Sequence, residues 1–231
     1  MPTIKFEHVD VAFDDTPVLS DINLNLTEHR IGIIGANGSG KSTMTRLING
    51  LGEPTSGTVS VDGLDVSDHG KELRKKIGFI FSDAENQIVM PNVRDDVAFS
   101  LRRFKMPKQQ RNALVDAALE RFQLSDLADH SPHTLSGGQK QMLAMAAVLV
   151  IDPILILADE PTTLLDLINR NRIRREFAAL EQQVIVVTHD LEFLSDFDRV
   201  ICIDNHAVAY DGAPAETISF YTELMEQRAV R

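Results

Sequence analysis

Eight consecutive residues, Gly35-Ala36-Asn37-Gly38-Ser39-Gly40-Lys41-Ser42, fit the phosphate-binding pattern G-x-x-x-x-G-K-[ST]. Glycines let a backbone wrap a polyphosphate so that successive N–H groups point inward, and a helix beginning at Lys41 adds the positive end of its dipole. A lysine placed as Lys41 is reaches the β and γ phosphates, and a hydroxyl placed as Ser42 is can ligate Mg²⁺. Thr43 follows directly and completes the candidate cradle. The flanks suit the loop: Arg30-Ile31-Gly32-Ile33-Ile34 reads as a short buried strand, and Lys41 to Ile48 as a helix with apolar Met44, Leu47 and Ile48. An ordinary glycine-rich turn has no need of all eight positions in register. The expectation is a nucleoside triphosphate with Mg²⁺.

Two further stations carry chemistry. Ile154 to Ala158 is an apolar strand running into Asp159-Glu160. A carboxylate at the end of such a strand can hold the water shell of Mg²⁺, the role expected of Asp159. Glu160 points elsewhere and could polarise an attacking water as general base. Leu135-Ser136-Gly137-Gly138-Gln139-Lys140-Gln141 opens a strongly apolar helix, with Ser136 as a plausible N-cap and two glycines exposing first-turn N–H groups to an anion. A second phosphate-facing helix start is redundant on one chain. It makes sense if it closes over nucleotide held by another subunit.

The elements that must position these residues follow from the pattern. Residues 3–30 alternate as an antiparallel β element, and turn signals stand at Ser56-Gly57 and Asp62-Gly63. Asp95 to Phe104, Lys108 to Phe122 and Gly137 to Val150 read as helices. From 154 onward the pattern returns to buried strand, helix (Leu167 to Gln182) and strand (Val184 to Thr188). Short all-apolar strands separated by helices signal a parallel sheet covered on both faces. The expected fold is therefore α/β, with a mostly parallel sheet, an antiparallel β element near the N-terminus and an inserted helical subdomain. As one domain over 1–231, the core would take 1–91 and 151–231 and the helical subdomain 92–150.

Composition bounds the reading. The chain has 231 residues, 43% of them hydrophobic, enough for a core. The longest apolar run, Met142 to Ile151, is too short to span a bilayer, and Met1 to Lys5 lacks a signal-peptide core. The single cysteine, Cys202, excludes an internal disulfide and sits in an apolar run read as a strand. A cytoplasmic protein is expected. The net charge of −11 argues against broad nucleic-acid binding.

Taken in order, phosphate loop, Leu-Ser-Gly-Gly-Gln, strand-Asp-Glu and Thr188-His189-Asp190 after Val184 to Val187 resemble the ATP-binding cassette ATPases over essentially the whole chain. The P-loop NTPase core is what that resemblance implies, and with it ATP. It further implies a head-to-tail dimer in which Lys41 of one protomer and Ser136, Gly137, Gly138 and Gln139 of another grip one nucleotide. His189 matches the histidine that contacts the γ-phosphate and positions water. Phe13, in Val11-Ala12-Phe13-Asp14, matches the aromatic that stacks on adenine, although the residue type alone also allows a core phenylalanine. Asp166 matches the loop that communicates across the dimer, with Leu164 where a small residue is usual.

After the strand Ile77 to Phe81, most of the family carries a metal-contacting glutamine; this chain has Ser82, whose shorter hydroxyl leaves that contact open. The run Asp83 to Pro91 and Val93 to Phe99 resembles the ATPases of energy-coupling-factor uptake systems for vitamins and metal ions, those for biotin foremost. The resemblance implies a second ATPase protomer, identical or paralogous, a transmembrane coupling subunit, a substrate-binding membrane subunit and a place on the inner face of the membrane. Gln87 to Met90, with the following helix behind them, form the expected docking groove; Ile88 and Met90 could instead close the core. The basic run Arg102 to Lys108 reads as a solvated face or as a cluster near anionic lipid. A mechanical ATPase acting on nucleic acid or ribosomes is the rival class. One phosphate loop, no heptad run and an acidic chain speak against it.

Overall fold

The computed structural model describes residues 1–229. In chain order the elements are β1 (Ile4–Phe13), β2 (Thr16–Leu26), β3 (Arg30–Ile34), α1 (Lys41–Ile48), β4 (Ser56–Val61), β5 (Leu64–Asp65), α2 (Val66–Leu73) and β6 (Ile77–Ile80). They continue with α3 (Val93–Ser100), α4 (Lys108–Arg121), α5 (Gly137–Leu149), β7 (Leu155–Asp159), α6 (Leu167–Ala178), β8 (Gln183–Val187), β9 (Arg199–Asp204), β10 (Ala207–Gly212) and α7 (Pro214–Ala229). The chain forms two compact units, one of residues 1–77, 154–160 and 180 onward, the other of 78–153 and 161–179.

The first unit holds an antiparallel sheet in the order β2-β1-β4-β5. Ile4, Phe6, Val9 and Val11 of β1 are buried, and bulges at the steps from Phe6 to Val9 and Val9 to Val11 keep them inward. Asp14 and Asp15, at φ 47° and 64°, make the tight β1–β2 turn, which requires positive φ at both positions. Asp62-Gly63 turns β4 into β5 as the sequence predicts. Ser56-Gly57 does not turn the chain. Gly57 lies inside β4 at φ 78°, where a Cβ would stand 2.1 Å from the His8 carbonyl oxygen, so this glycine serves a close strand crossing.

A second sheet in this unit runs β10-β9-β3-β8-β7. β9, β3, β8 and β7 are parallel, and β10 pairs antiparallel with β9. β7 and β8 are buried along their whole length, which explains the apolar runs Leu155 to Ala158 and Val184 to Val187. Ile33 and Asp159 both pair with Val187, so β3, β7 and β8 end level with one another. Parallel strands ending together bring the three following loops to one edge. Thr217 of α7 is buried and donates to the Val200 carbonyl at 3.1 Å, tying that helix to β9.

In the second unit α3 and α4 pack against α5, whose residues Met142 to Val148 are buried on every face. Arg94 pairs with Asp116 at 2.7 Å, and Arg172 donates to the Phe122 carbonyl at 2.8 Å. Two helices differ from expectation. α3 starts at Val93 because the Asn92 side chain accepts from the Asp95 N–H, and after Ser100 it tightens into a 3₁₀ turn, Leu101–Arg103. α6 stops at Ala178, and residues 180–182 lead into β8. Among the described residues, no helix is long and apolar enough to cross a membrane.

Candidate functional site

The edge where β3, β7 and β8 end carries most of the chemistry read from the sequence. From β3 the chain turns at Gly35, whose φ is 151° and where a Cβ would lie 2.2 Å from the Ile203 carbonyl oxygen. At Gly40, φ 100°, a Cβ would lie 2.6 Å from the Val18 carbonyl oxygen. Both positions admit only glycine, whereas Gly38 faces open space. Gly40 offers no side chain to cap α1, although α2, α3, α5 and α6 all begin with a side-chain cap. The first N–H groups of α1 therefore remain for an anion. The Ser39 hydroxyl is buried without a hydrogen-bond partner in the protein, as a group meant for a ligand would be.

Lys41 folds its ammonium back onto the loop, donating to the Gly35 and Ala36 carbonyls at 2.8 Å each. Burial pulls its pKa below the usual lysine range, opposed by the charges of Glu160 and Asp159. A polyphosphate against this ammonium would favour its charged form. Ser42 Oγ donates to Asp159 Oδ1 at 2.8 Å, and Arg46, absent from the sequence reading, approaches the same carboxylate at 4.0 Å. A hydroxyl and a buried carboxylate side by side form a hard-oxygen donor pair that fits Mg²⁺, which takes one or two carboxylates and completes its shell with water and phosphate. No cluster of three or more His, Cys, Asp or Glu suited to a metal exists among the described residues.

One residue beyond Asp159, Glu160 takes φ 54° and donates its N–H to the Val187 carbonyl at 2.8 Å, which turns its side chain along β8. Its Oε2 lies 2.7 Å from His189 Nδ1 and 3.4 Å from both the Thr188 hydroxyl and the His189 N–H. The two residues were read from separate motifs, yet they form one hydrogen-bonded pair. Glu160 is mostly covered, and His189 reaches into solvent. Phe13 is 61% exposed at the tip of the β1–β2 hairpin and is no part of the core.

Ser136 and its neighbours belong to the second unit. The Ser136 hydroxyl accepts from the Gln139 N–H at 3.3 Å and the Gln139 side-chain oxygen accepts from the Ser136 N–H at 2.8 Å, a reciprocal capping box. Gln139 thus shapes the turn that presents Gly137. Asp166 caps α6, and Leu164, at φ 63° and 98% exposed, projects from the loop before it. Ser82 lines a cavity of about 180 Å³ with Asp83, Gly137, Gln141, Thr163 and Leu165.

The segment that follows Ser82 is held mainly by its own hydrogen bonds. Gln87 commits its amide within the protein: it donates to the Phe79 carbonyl and accepts from the Phe81 N–H, both at 3.1 Å, at the end of β6. Ile88 and Met90 are half-buried, and Val89 is the exposed apolar residue of the group. Asp96 Oδ1 accepts the N–H groups of Val89 at 2.8 Å and Met90 at 3.0 Å, a fastening that the sequence did not signal. Beside these residues opens a cavity of about 310 Å³ lined also by Glu85, Pro132 and Lys140, with Lys140 Nζ 3.0 Å from Glu85 Oε1.

The ABC transporter family profile matches residues 19–163, from β2 through the acidic end of β7. The chain belongs to the ABC transporter ATPases. It is 44% identical over 221 residues to the biotin transport ATP-binding protein BioM of Rhizobium etli, covering 96% of this chain and 98% of that one. It is 38% identical over 213 residues to the energy-coupling factor transporter ATP-binding protein EcfA1 of Bacillus subtilis, covering 90% of this chain and 76% of that one. Among solved structures it superposes on cbiO1 of Clostridium perfringens, part of the ABC transporter complex cbiONQ, with a TM-score of 0.84 at 32% identity, over 99% and 94% of the two chains. It also matches the ATP-binding cassette MJ0796 in a dimeric post-hydrolysis state bound to ADP and Pi, with a TM-score of 0.80 at 30% identity, over 91% and 98%. This ABC ATPase is thus an ATP-binding enzyme of the energy-coupling-factor type on an α/β P-loop fold.

Proposed function

We propose that this ABC ATPase energises a membrane importer for a vitamin or metal ion, with biotin the first candidate, and that it works as a pair of protomers on the inner face of the membrane. The observation that carries the reading is the Glu160–His189 pair at 2.7 Å, level with the Ser42–Asp159 pair at one sheet edge. Similarity to the BioM and EcfA1 proteins supports the importer role, and similarity to the dimeric MJ0796 cassette supports the paired protomers. The reading treats residues 1–231 as one cassette domain in which 92–150 supply the helical part.

ATP would lie over Gly35 to Thr43 with its adenine against Phe13, and Lys41 would leave the Gly35 and Ala36 carbonyls for the β and γ phosphates. Ser42 and Asp159 would hold Mg²⁺, which when bound neutralises phosphate charge. The Glu160 carboxylate, anchored through Oε2, then aligns a water on the γ-phosphorus and accepts its proton as the new P–O bond forms and the bridging bond to the β-phosphate breaks. His189, held by Glu160, meets the γ-phosphate. Ser136 to Gln139 of the partner protomer close the site from the other side, and Asp166 carries the closure to the second site. Val89, Ile88 and Met90 line the cavity that receives a helix of the transmembrane coupling subunit, and a further membrane subunit selects the solute.

Glu160→Gln tests this reading, since it keeps shape and removes the base. Turnover should fall by about 10²–10⁴. MgATP binding should survive, nucleotide-bound dimer should accumulate in sedimentation, and labelled biotin uptake by cells making the whole importer should stop. Near wild-type turnover would remove Glu160 from the mechanism. Lost turnover with undiminished biotin uptake would remove biotin import.

A further inference from the structure

Asn169 ties together two parts of the second unit that belong to separate motifs. Asp166 Oδ1 accepts both the Asn169 backbone N–H, at 2.8 Å, and the Asn169 side-chain Nδ2, at 2.9 Å. A carboxylate can only accept, so the NH₂ of the amide faces Asp166 and the amide oxygen turns the other way. It turns onto Gly138. A Cβ built at Gly138 would stand 2.2 Å from Asn169 Oδ1, 2.3 Å from Cγ and 2.7 Å from Nδ2, so the whole amide group rests on that glycine. Gly138 is buried, while Gly137 is exposed, and a Cβ built there would come no closer than 4.0 Å to Leu165 Cδ2. The two glycines therefore differ in kind: Gly137 is open to an incoming ligand, and Gly138 is the seat of Asn169.

We propose that Asn169 is a positioning residue for ATP hydrolysis: its amide clamps the Ser136–Gly138 turn to the Asp166 loop, so that both meet the partner protomer's nucleotide as one piece. This rests on the reading of Ser136 to Gly138 as the phosphate contact in trans. Loss of Asn169 frees the turn, which must then be ordered afresh at every dimer closure, and the cost falls on closure rather than on binding.

The test measures ATPase rate against protein concentration, MgATP affinity at low protein concentration, and Tm. Asn169→Ala should raise the protein concentration for half-maximal turnover by about threefold to tenfold, toward the lower end of the coupling found between touching residues. Affinity of the isolated protomer for MgATP should not change. Asn169→Asp keeps the volume over Gly138 but loses the donor and faces a second carboxylate, so it should be at least as impaired as the alanine variant. The effect of Asn169→Ala should shrink when Asp166 is already alanine, because the residue acts through that carboxylate. An Asn169→Asp protein that closes like the wild type would overturn the clamp. So would variants that lower Tm without shifting the concentration dependence. Gly137→Asp, assayed in parallel, separates the layers: if it too leaves turnover intact, the contact in trans is wrong, and if only the Asn169 variants are silent, the clamp alone is wrong.

Discussion

At the residue scale, polar groups here are placed by burial and acceptor geometry more than by residue type. Asp96 shows this. It holds the Val89 and Met90 N–H groups on one oxygen, and burial raises its pKa above the ordinary carboxylate value of 3.8, against the pull of those two hydrogen bonds. The sign follows from linkage. A folded-state pKa above the unfolded one means that the native state binds the proton more tightly, so stability falls as pH rises from about 3.8 through the raised value. Asp96→Asn keeps an oxygen for both N–H groups and removes the charge. Its Tm should exceed that of the wild type by about 1–3 °C at pH 7, the effect of a fraction of a kcal/mol in a domain of this size, and the gap should narrow toward pH 4. A gap that widens on acidification would show that the ionised form is the stabilising one.

Helix starts divide into two kinds at the element scale. α2, α3, α5 and α6 satisfy their own N–H groups through Asp65, Asn92, Ser136 and Asp166, whereas α1 and α4 begin without a side-chain cap, α4 after Pro107 and α1 at a glycine of the phosphate loop. α5 combines both features, because its capping box leaves Gly137 exposed. Gly137→Asp should fold normally, since a Cβ there meets nothing nearer than Leu165 Cδ2 at 4.0 Å and the position borders a cavity. A carboxylate at that point would oppose a γ-phosphate by several kcal/mol where solvent is scarce, about ε 20 at 4 Å. Turnover should fall by at least about 10² while protomer MgATP affinity and Tm stay near wild type. Equal loss of affinity and turnover would mean that Gly137 faces its own protomer's nucleotide.

For the whole molecule, the question is where a membrane partner engages. Ile88 and Met90 are the obvious choices from sequence, but both are half-buried, and a charge there would test folding before it tested docking. Val89, at 61% exposure on the cavity of about 310 Å³, separates the two. Val89→Glu should leave Tm and basal ATPase unchanged and reduce recovery of the membrane subunits on affinity purification by about tenfold, the effect of losing one apolar contact of about 1.5 kcal/mol or less. Full recovery of the membrane subunits with this variant would place the docking surface elsewhere.

The phosphate loop, the Asp159-Glu160 strand end, the Ser136 turn and the parallel-sheet core were legible in the sequence because each depends on local order. Glycines must sit at positive φ, an N-cap must precede its helix, and a strand buried on both faces must be apolar throughout. Gln87 sealing a strand end, Asp96 fastening two N–H groups, the misread turn at Gly57 and the amide of Asn169 on Gly138 were not legible. Each depends on which backbone atoms another segment brings within 3 Å or so, and nothing in the local pattern encodes that. Sequence order separates Glu160 from His189 by 29 residues, and only the level ending of parallel β7 and β8 sets them 2.7 Å apart. Local chemistry is written in neighbours along the chain; the catalytic distance is set by strand register.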